Sequence, residues 1–249
     1  MAADVQTPVE LAPPVCIAHR GASGEEPENT LRAFARALSQ GATFLELDVH
    51  LVHDRLLVIH DDTLERTTSG TGPLAARSLA ELRALDAGHG ERIPFLEEVL
   101  ELAHGRARLN IELKGPRTAA PVVRLLQAAV QDGGWRPDQF LLSAFDWQRL
   151  AVVREMEAAL PVAPLAGKGA GGEVLEAAER LGAEAIHVSR WSARQRLVAA
   201  AHERGLATRV YPINRAWEYD LMVRLGVAGI FTDFPGRALT WGALAPASA

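Results

Sequence analysis

Ionisable side chains stand at the ends of apolar runs in this sequence, where they could do chemistry. His19 and Arg20 directly follow the apolar run 15–18, and a Gly-rich loop and Asn29, a good helix N-cap, come next. An imidazole can move a proton near neutral pH, and a guanidinium binds phosphate oxygens through its planar fork. A buried strand that delivers both groups to its carboxyl end is typical of the catalytic edge of α/β folds.

Three carboxylates stand at strand-like spacing. Glu46 and Asp48 are two residues apart in an apolar run, so their side chains point to one face of a strand. A solvated edge strand is one interpretation, but the run is very apolar, and burying unpaired carboxylates is costly. We favour a divalent-cation site, to which Glu112 of a later run adds a third carboxylate at the same level. Three carboxylates without cysteine favour Mg²⁺ or Ca²⁺ over Zn²⁺.

His60 and Lys114 extend this group. His60 ends a short apolar run, and with His19 it would divide the roles of general base and general acid. Either histidine alone would more often be structural. Lys114 shares a strand face with Glu112, where it would balance the carboxylates, contact an anionic substrate or form a plain salt bridge. A metal, two cations and two imidazoles together suit phosphoryl chemistry.

Alternating apolar and amphipathic segments predict the elements that would position these side chains. Eight strand candidates alternate with eight helix candidates, which in a chain of 249 residues predicts an α/β fold, a (β/α)₈ TIM barrel. The predicted strands are 15–19, 43–49, 108–113, 139–143, 162–165, 185–189, 206–211 and 228–232. The predicted helices are 29–40, 94–104, 118–131, 146–159, 172–182, 192–204, 216–225 and 234–241.

An insertion interrupts the alternation after the second strand. Residues 50–93 contain an extra short strand at 56–60 and a polar loop at 61–72. An insertion at this position emerges at the catalytic face, where long loops are usually functional. Its leucines predict a helix packed on the barrel, and an apolar rim is the alternative: Leu74, Leu79, Leu82 and Leu85. We expect one domain over 15–249, preceded by a flexible N-terminal tail over 1–14.

Composition limits the class of protein and its partners. The net charge is −5 and basic residues are not clustered in sequence, so nucleic acid is not an expected partner. The single cysteine excludes an intrachain disulfide and a multi-cysteine metal site. The sequence shows no signal peptide and no apolar run near the roughly 18 residues of a membrane span. We expect a cytoplasmic monomer or homodimer without integral membrane association.

Taken in order, these motifs resemble those of the glycerophosphodiester phosphodiesterase family. The matching segments span almost the whole chain: 19–21 with 27–30, 46–49, 60–61 with 64–67, 111–114, 143–146 and 226–235. The resemblance implies a TIM barrel with a small insertion after the second strand. It also implies hydrolysis of a small glycerophosphodiester to sn-glycerol 3-phosphate and an alcohol. Attack on phosphorus by a neighbouring glycerol hydroxyl and attack by water both stay open.

The resemblance also implies roles for individual residues. Glu46, Asp48 and Glu112 would bind one divalent cation, Mg²⁺ or Ca²⁺. His19 and His60 would be the acid/base pair, and Arg20 and Lys114 would contact the phosphate. Tyr211 and Asn214 would contact the substrate: where the family often has Trp-Thr-Val-Asn, this chain has 211–214. Trp191 and Trp217 would either line the pocket or pack on helices.

Three other functions fit the same plan. A sphingomyelinase-D-like or phosphoinositide-lyase-like barrel also pairs histidine with a carboxylate-bound metal, but one cysteine argues against the secreted, disulfide-bonded type. An apolar rim in the insertion would favour a lysophospholipase D-like phosphodiesterase. A catalytically silent metal- or phosphodiester-binding module would lack an expected residue, and every expected position is present.

Overall fold

Eight parallel strands close into a barrel in the computed structural model, which describes residues 12–243. The strands are β1 (Val15–Ala18), β2 (Phe44–Val52), β3 (Arg55–Val58), β4 (Arg108–Leu113), β5 (Phe140–Ala144), β6 (Val162–Ala166), β7 (Ala185–Ser189), β8 (Ala207–Tyr211) and β9 (Gly229–Thr232). β1 pairs with both β9 and β2, which closes the barrel, and only β3 is antiparallel. The predicted (β/α)₈ barrel is confirmed. Most of the predicted tail (1–11) and residues 244–249 lie outside the described residues.

Helices follow the strands and cover the barrel. They are α1 (Leu31–Ser39), α2 (Leu79–Ala84), α3 (Leu96–Ala103), α4 (Ala119–Gln131), α5 (Trp147–Met156), α6 (Gly172–Leu181), α7 (Gln195–Glu203), α8 (Ala216–Leu225) and α9 (Pro235–Ala243). The expected cap of α1 was wrong by one residue. Thr30 is the N-cap and its hydroxyl accepts from Ala33 N at 3.2 Å, whereas Asn29 has a left-handed backbone with φ 57°.

The barrel interior changes character along its axis. Ile17, Phe44, Leu141 and Phe231 form an apolar cluster inside the barrel with small side chains of neighbouring strands. Because side chains alternate along a strand, Glu46 and Asp48 share the inward face of Phe44 and lie nearer the carboxyl end of β2. The register places Asp48 beside Glu112 of β4. The strand pattern therefore brings the carboxylates together above an apolar layer.

The insertion begins later than the sequence suggested. β2 continues to Val52 instead of ending at Val49, because residues 49–52 pair with β3 in a hairpin. Its turn residues His53 and Asp54 both have positive φ, 45° and 62°, as a two-residue type I′ turn requires. The extra chain thus starts at His53, and β3 ends two residues before His60.

The insertion has a small core of its own. Leu74 and Leu82 are buried in it together with Leu57 and Leu64, and Leu79 and Leu85 pack partly buried against it. Ser78 caps α2 in a capping box with Glu81, which fixes the start of this short helix. The leucines are therefore packing residues and do not form an apolar rim, but they pack in the core of the insertion itself and not on the barrel as predicted.

Candidate active site

A cavity of about 240 Å³ opens at the carboxyl ends of the barrel strands. Six of the nine residues predicted for the site line it: His19, Arg20, Glu46, His60, Glu112 and Tyr211. Asp48 and Lys114 contact these residues through ion pairs. The lining also includes apolar side chains, among them Phe145, Leu165 and Phe231. The cavity therefore combines ionisable groups with an apolar wall.

Three carboxylates meet in this cavity. Glu46, Asp48 and Glu112 each offer an oxygen, and these oxygens lie within 4.8 Å of one another. Glu46 is 2% and Asp48 is 1% exposed, and Asp48 Oδ1 has no hydrogen-bond partner among the described residues. Burial, with the neighbouring Asp48 charge, raises the pKa of Glu46 to about 8 and that of Glu112 to about 6. Hard oxygen donors in this arrangement fit one divalent cation.

The loop after β1 holds two of these carboxylates. The backbone N–H of Arg20 donates to Glu46 Oε2 at 2.9 Å, and Asn29 Nδ2 donates to Asp48 Oδ2 at 2.9 Å. Arg20 and Asn29 both have left-handed backbones, with φ near 56° and 57°. Burial raises the pKa of Asp48, but the Arg20 guanidinium, then His60 and Lys114, outweigh it and hold that pKa below its usual range. Two strained residues thus keep Asp48 ionised and in place.

His19 is paired with a carboxylate that the sequence analysis missed. Its Nδ1 lies 2.7 Å from Asp233 Oδ1, just after β9. Asn214 fixes this carboxylate, because its Nδ2 donates to Asp233 Oδ2 at 2.6 Å and its Oδ1 accepts from Asp233 N at 2.9 Å. Burial lowers the pKa of His19, but the hydrogen bond to Asp233 and the Glu46 charge outweigh it and raise the pKa above its ordinary value. His19 is therefore suited to hold a proton.

His60 has the opposite environment. Its Nδ1 donates to Asp61 Oδ1 at 2.5 Å, and Lys114 Nζ donates to its Nε2 at 3.0 Å. Burial lowers the pKa of His60; the Asp48 charge opposes this, and the positive charges of Arg20 and Lys114 add to it. The net result is a pKa below the ordinary value. His60 is therefore suited to accept a proton.

A chain of ion pairs links the loop after β1 to the insertion. Arg20 Nη1 donates to Glu28 Oε1 at 2.8 Å, and Arg66 donates to both oxygens of Glu28 at 2.7 and 2.9 Å. Arg66 Nε also donates to Asp61 Oδ2 at 2.5 Å. Since Asp61 holds His60, the orientation of that imidazole depends on Arg66 of the insertion. None of Glu28, Arg66 and Asp61 was assigned a role from sequence.

The remaining predicted residues fall in different places. Lys114 Nζ lies 2.9 Å from Glu112 and 3.8 Å from Asp48, so it balances carboxylates at the cavity edge. The ring of Tyr211 packs edge-on against Phe145 at 6.3 Å, and its hydroxyl donates to the Ala166 carbonyl at 2.9 Å. Asn214 contacts Asp233 and does not line the cavity.

The missed residues had a common signal in the sequence. Asp233, Asn29 and Asp61 each stand in a segment that carries the family resemblance, and Asp233 and Asp61 lie one residue past a strand end or a proposed acid/base group. Polar residues that directly follow strand ends of a parallel barrel lie at its catalytic edge. What spacing did not show is which of them pair with His19 and His60.

Comparisons with known proteins agree on one family. The model of the glycerophosphoryl diester phosphodiesterase family matches residues 19–237. The glycerophosphodiester phosphodiesterase of Caldanaerobacter subterraneus is 36% identical over 229 residues, which cover 88% of this chain and 93% of the relative. The glycerophosphodiester phosphodiesterase of Bacillus altitudinis is 34% identical over 238 residues, which cover 89% and 95%.

Solved structures show the same fold. A phosphodiesterase of Oleispira antarctica, determined in complex with the product sn-glycerol-3-phosphate, has a TM-score of 0.83 at 28% identity and covers 92% of this chain and 96% of its own. The glycerophosphodiester phosphodiesterase of Agrobacterium tumefaciens has a TM-score of 0.76 at 27% identity, with 93% and 100% covered.

Proposed function

The chain belongs to the glycerophosphoryl diester phosphodiesterase family of enzymes, and from this premise we propose that it cleaves glycerophosphodiesters to sn-glycerol 3-phosphate and an alcohol. The observation that carries the proposal is a pair of imidazoles with oppositely shifted pKa values beside three carboxylates. Titratable groups whose pKa values are pushed apart are suited to divide acid and base roles. The Oleispira relative was determined with the same product.

One divalent cation, Mg²⁺ or Ca²⁺, would be held by Glu46, Asp48 and Glu112. The orphaned Asp48 Oδ1 and the raised pKa values of Glu46 and Glu112 support this assignment, because a cation would compensate carboxylates that are otherwise short of partners. When bound, the cation supplies Lewis-acid stabilisation of charge on the phosphoryl oxygens. Neither metal is favoured by the donor set.

The two imidazoles would act on the two oxygens that change partners at phosphorus, the attacking oxygen and the leaving oxygen. His60, neutral and held by Asp61, takes a proton from the attacking oxygen, which belongs to a neighbouring glycerol hydroxyl or to water. His19, protonated and held by Asp233, gives a proton to the oxygen of the leaving alcohol. One P–O bond forms and one breaks, and the proton count balances between the two groups.

The cations and the cavity wall would position the substrate. Lys114 contacts both Glu112 and His60, and Arg20 lines the cavity and contacts Asp48, so both cations are placed to bind phosphate oxygens. Tyr211 contributes an aromatic wall next to them. We propose that Asn214 acts by positioning Asp233 in addition to any contact with substrate.

A product assay tests the proposed function. We expect release of sn-glycerol 3-phosphate from glycerophosphocholine, glycerophosphoethanolamine or bis(glycero)phosphate, lost with EDTA and restored by Ca²⁺ or Mg²⁺. His19→Ala and His60→Ala should each lower kcat by about 10²–10⁴-fold. His202→Ala, at an exposed histidine of α7, is the matched control and should leave kcat unchanged. Release that persists without metal, or none from all three substrates, would contradict the proposal.

Lysophospholipase D-like cleavage is a second candidate. The apolar part of the cavity lining favours it, because Phe145 is 49% exposed beside Leu165 and Pro212. Choline release from lysophosphatidylcholine at a higher kcat/KM than from glycerophosphocholine would make this the main activity. A lower kcat/KM, or no release, would remove it.

The surroundings of the enzyme are also proposals. No helix of the described residues is long and apolar enough to cross a membrane. We propose one domain over 15–249, with the insertion, which begins at His53 and was expected over 50–93, at the catalytic face. We also propose a cytoplasmic monomer or homodimer that acts on a small substrate and does not bind nucleic acid. Light scattering of the purified protein distinguishes monomer from dimer.

A further inference from the structure

Two tryptophans stand out of the protein near the cavity mouth. Trp191 follows β7 and is 61% exposed, and Trp217 opens α8 after β8 and is 59% exposed. Trp135, by contrast, is only 7% exposed, and the Trp147 indole N–H donates to the Leu165 carbonyl at 2.9 Å. The indole N–H groups of Trp191 and Trp217 have no acceptor within residues 12–243. Neither residue lines the cavity, and both are more than half exposed, so neither sequence expectation, a cavity wall or a side chain buried on a helix, describes them.

The segments that carry these rings are fixed to each other. We name segments 167–173, 190–196 and 212–218, which follow β6, β7 and β8, the tryptophan rim. Ser192 Oγ donates to Gly167 O at 2.9 Å and accepts from Gly169 N at 3.0 Å, which joins the first two segments. An ion pair of 2.9 Å between Arg190 and Glu218 joins the second and third. The exposed rings thus stand on a preorganised platform, which reduces the entropic cost of docking.

The tryptophan rim is positively charged, although the whole chain has a net charge of −5. It contains five basic and two acidic side chains: Lys168, Arg190, Arg194, Arg196 and Arg215, with Glu173 and Glu218. Four of the basic residues are exposed, and within the described part of the chain they make no ion pair: Lys168, Arg194, Arg196 and Arg215. The free positive charge of the rim is therefore available to an anionic partner.

Two of these charges lie where they oppose folding. Arg194 and Arg215 are the N-cap residues of α7 and α8, and α7 has no acidic residue in its first turn. A helix N-terminus carries partial positive charge, so a cation there is unfavourable and an anion favourable. An anionic surface docked on the rim would reverse this repulsion.

We propose that the tryptophan rim docks the enzyme on an anionic lipid membrane. Amphipathic indoles prefer the membrane–water interface, and basic side chains beside them are attracted to anionic headgroups. A second copy of the chain is a poorer occupant, because a two-fold interface through this face would oppose like charges. The inference rests on the proposed function only in its purpose. Docking would place the cavity mouth at the surface where phospholipids occur and where their deacylation releases glycerophosphodiesters.

Vesicle binding tests the proposal independently of catalysis. The full chain is sedimented with vesicles of phosphatidylcholine alone and of phosphatidylcholine mixed with phosphatidylglycerol, at low and high salt. We expect binding only to the mixed vesicles, weakened by salt because exposed charges are screened. Arg194→Glu with Arg215→Glu should weaken it by at least about 25-fold, since each basic residue near the surface contributes about fivefold. Trp191→Ala with Trp217→Ala should weaken it by at least about tenfold.

A matched variant controls for charge alone. Arg106 and Arg224 are also exposed and lie outside the tryptophan rim, near the amino ends of the strands. Arg106→Glu with Arg224→Glu should bind mixed vesicles less than about threefold more weakly, through the change in net charge. Equal losses for both arginine pairs would overturn the rim as the docking site.

Two more outcomes separate this inference from the proposed function. All variants should hydrolyse soluble glycerophosphocholine at the wild-type rate, because none of the substituted side chains lines the cavity that holds the ionisable groups. Hydrolysis by a wild-type protein that does not bind mixed vesicles would overturn the docking alone. If light scattering shows that the wild-type protein is a dimer and the tryptophan variants are monomers, the rim is an interface between two copies, and membrane docking is overturned.

Discussion

At the scale of single residues, each imidazole is controlled by its own carboxylate. Asp233 contacts His19 and Asp61 contacts His60, each through Nδ1. Burial lowers the pKa of both histidines, but the Asp233 hydrogen bond and the Glu46 charge outweigh it at His19, so that pKa moves up. At His60 the positive charges of Arg20 and Lys114 add to burial, so that pKa moves down. We therefore expect a bell-shaped kcat/KM profile. Its acidic limb should lie below the ordinary histidine pKa of about 6.5 and its basic limb above it.

Exchanging one carboxylate should move one limb. Asp233→Asn removes the charge that keeps His19 protonated, so the basic limb should shift to lower pH. Asp61→Asn removes a contact that favours protonated His60, so the acidic limb should shift to lower pH. The measurement is kcat/KM for glycerophosphocholine across pH with saturating metal. Each variant is the control of the other, and movement of the same limb in both would contradict the assignment of acid and base.

The site residues that could be predicted from sequence are those for which side-chain type and position at a strand end already indicate the chemistry. Two-residue spacing put Glu46 and Asp48 on one face of a strand, and the predicted barrel added Glu112 from the end of a later strand. The pairing of His19 with Asp233 joins residues 214 positions apart. Only closure of the barrel between β1 and β9 brings them together, and a one-dimensional pattern does not specify that contact.

At the scale of elements, the loop between β1 and α1 depends on a close backbone approach. Gly21 has φ 82°, and a Cβ there would lie 2.6 Å from the Ala33 carbonyl carbon. The close approach of the Gly21 backbone to Ala33 lets the loop that carries Arg20 and Asn29 lie against the first turn of α1. Backbone atoms cannot move aside as a flexible side chain can.

Gly21→Ala should therefore destabilise the protein by more than the conformational penalty of about 1 kcal/mol. It should also weaken metal binding, since Arg20 and Asn29 hold two of the carboxylates. Urea unfolding gives the stability change, and metal titration gives the affinity. Gly105→Ala is the control, because its φ is 67° but nothing lies within 4 Å of the added Cβ. Equal losses of stability in Gly21→Ala and Gly105→Ala would contradict the steric explanation.

Arg66 is the element-scale link between the insertion and the barrel. Arg66→Ala should lower kcat by roughly tenfold, because Asp61 loses the partner that orients it, while metal affinity stays unchanged. Arg77→Ala, in the same insertion, should have no effect on kcat, since the polar contacts of the Arg77 side chain within residues 12–243 are with Glu81 and the Thr71 carbonyl, away from the cavity. A change in metal affinity with unchanged kcat would contradict this role for Arg66.

Element boundaries could be predicted only where a local signal sets them. Gly182 and Gly226 directly follow helical runs and supply the positive φ that a C-terminal cap favours, and both caps are left-handed. The end of β2 was wrong by three residues, because a hairpin with β3 extends it. The strand continues because residues 50–52 pair with β3, and their own sequence does not predict that pairing.

At the scale of the whole molecule, the carboxylate cluster couples stability to pH and metal. Glu46 titrates at about 8 when folded without metal, well above its usual 4.5, and the pKa of His19 is also raised. The folded state then binds more protons than the unfolded state, so stability falls as pH rises. The histidines with lowered pKa oppose this trend near pH 6.5, where their unfolded side chains still bind protons, but they are neutral in both states above about pH 7.5.

The melting temperature of the metal-free protein should therefore fall from pH 7.5 to pH 8.5. The free energy of unfolding should drop by on the order of 1 kcal/mol per pH unit. Saturating Mg²⁺ or Ca²⁺ should remove most of this slope by compensating the ionised carboxylates. Glu46→Gln should flatten the slope without metal and lose the metal response. A slope that is the same with and without metal would contradict the site.

The insertion separates the proposed catalytic residues into two groups, because it has a small core of its own. The three carboxylates of the proposed metal site and His19 belong to barrel strands or their ends, whereas His60 and Asp61 follow β3, outside the barrel. An opening of the insertion alone would withdraw the base and leave the cation in place. Inactivation by mild denaturant would then precede loss of the barrel, so turnover reports the closure of this one segment rather than the folding of the whole enzyme.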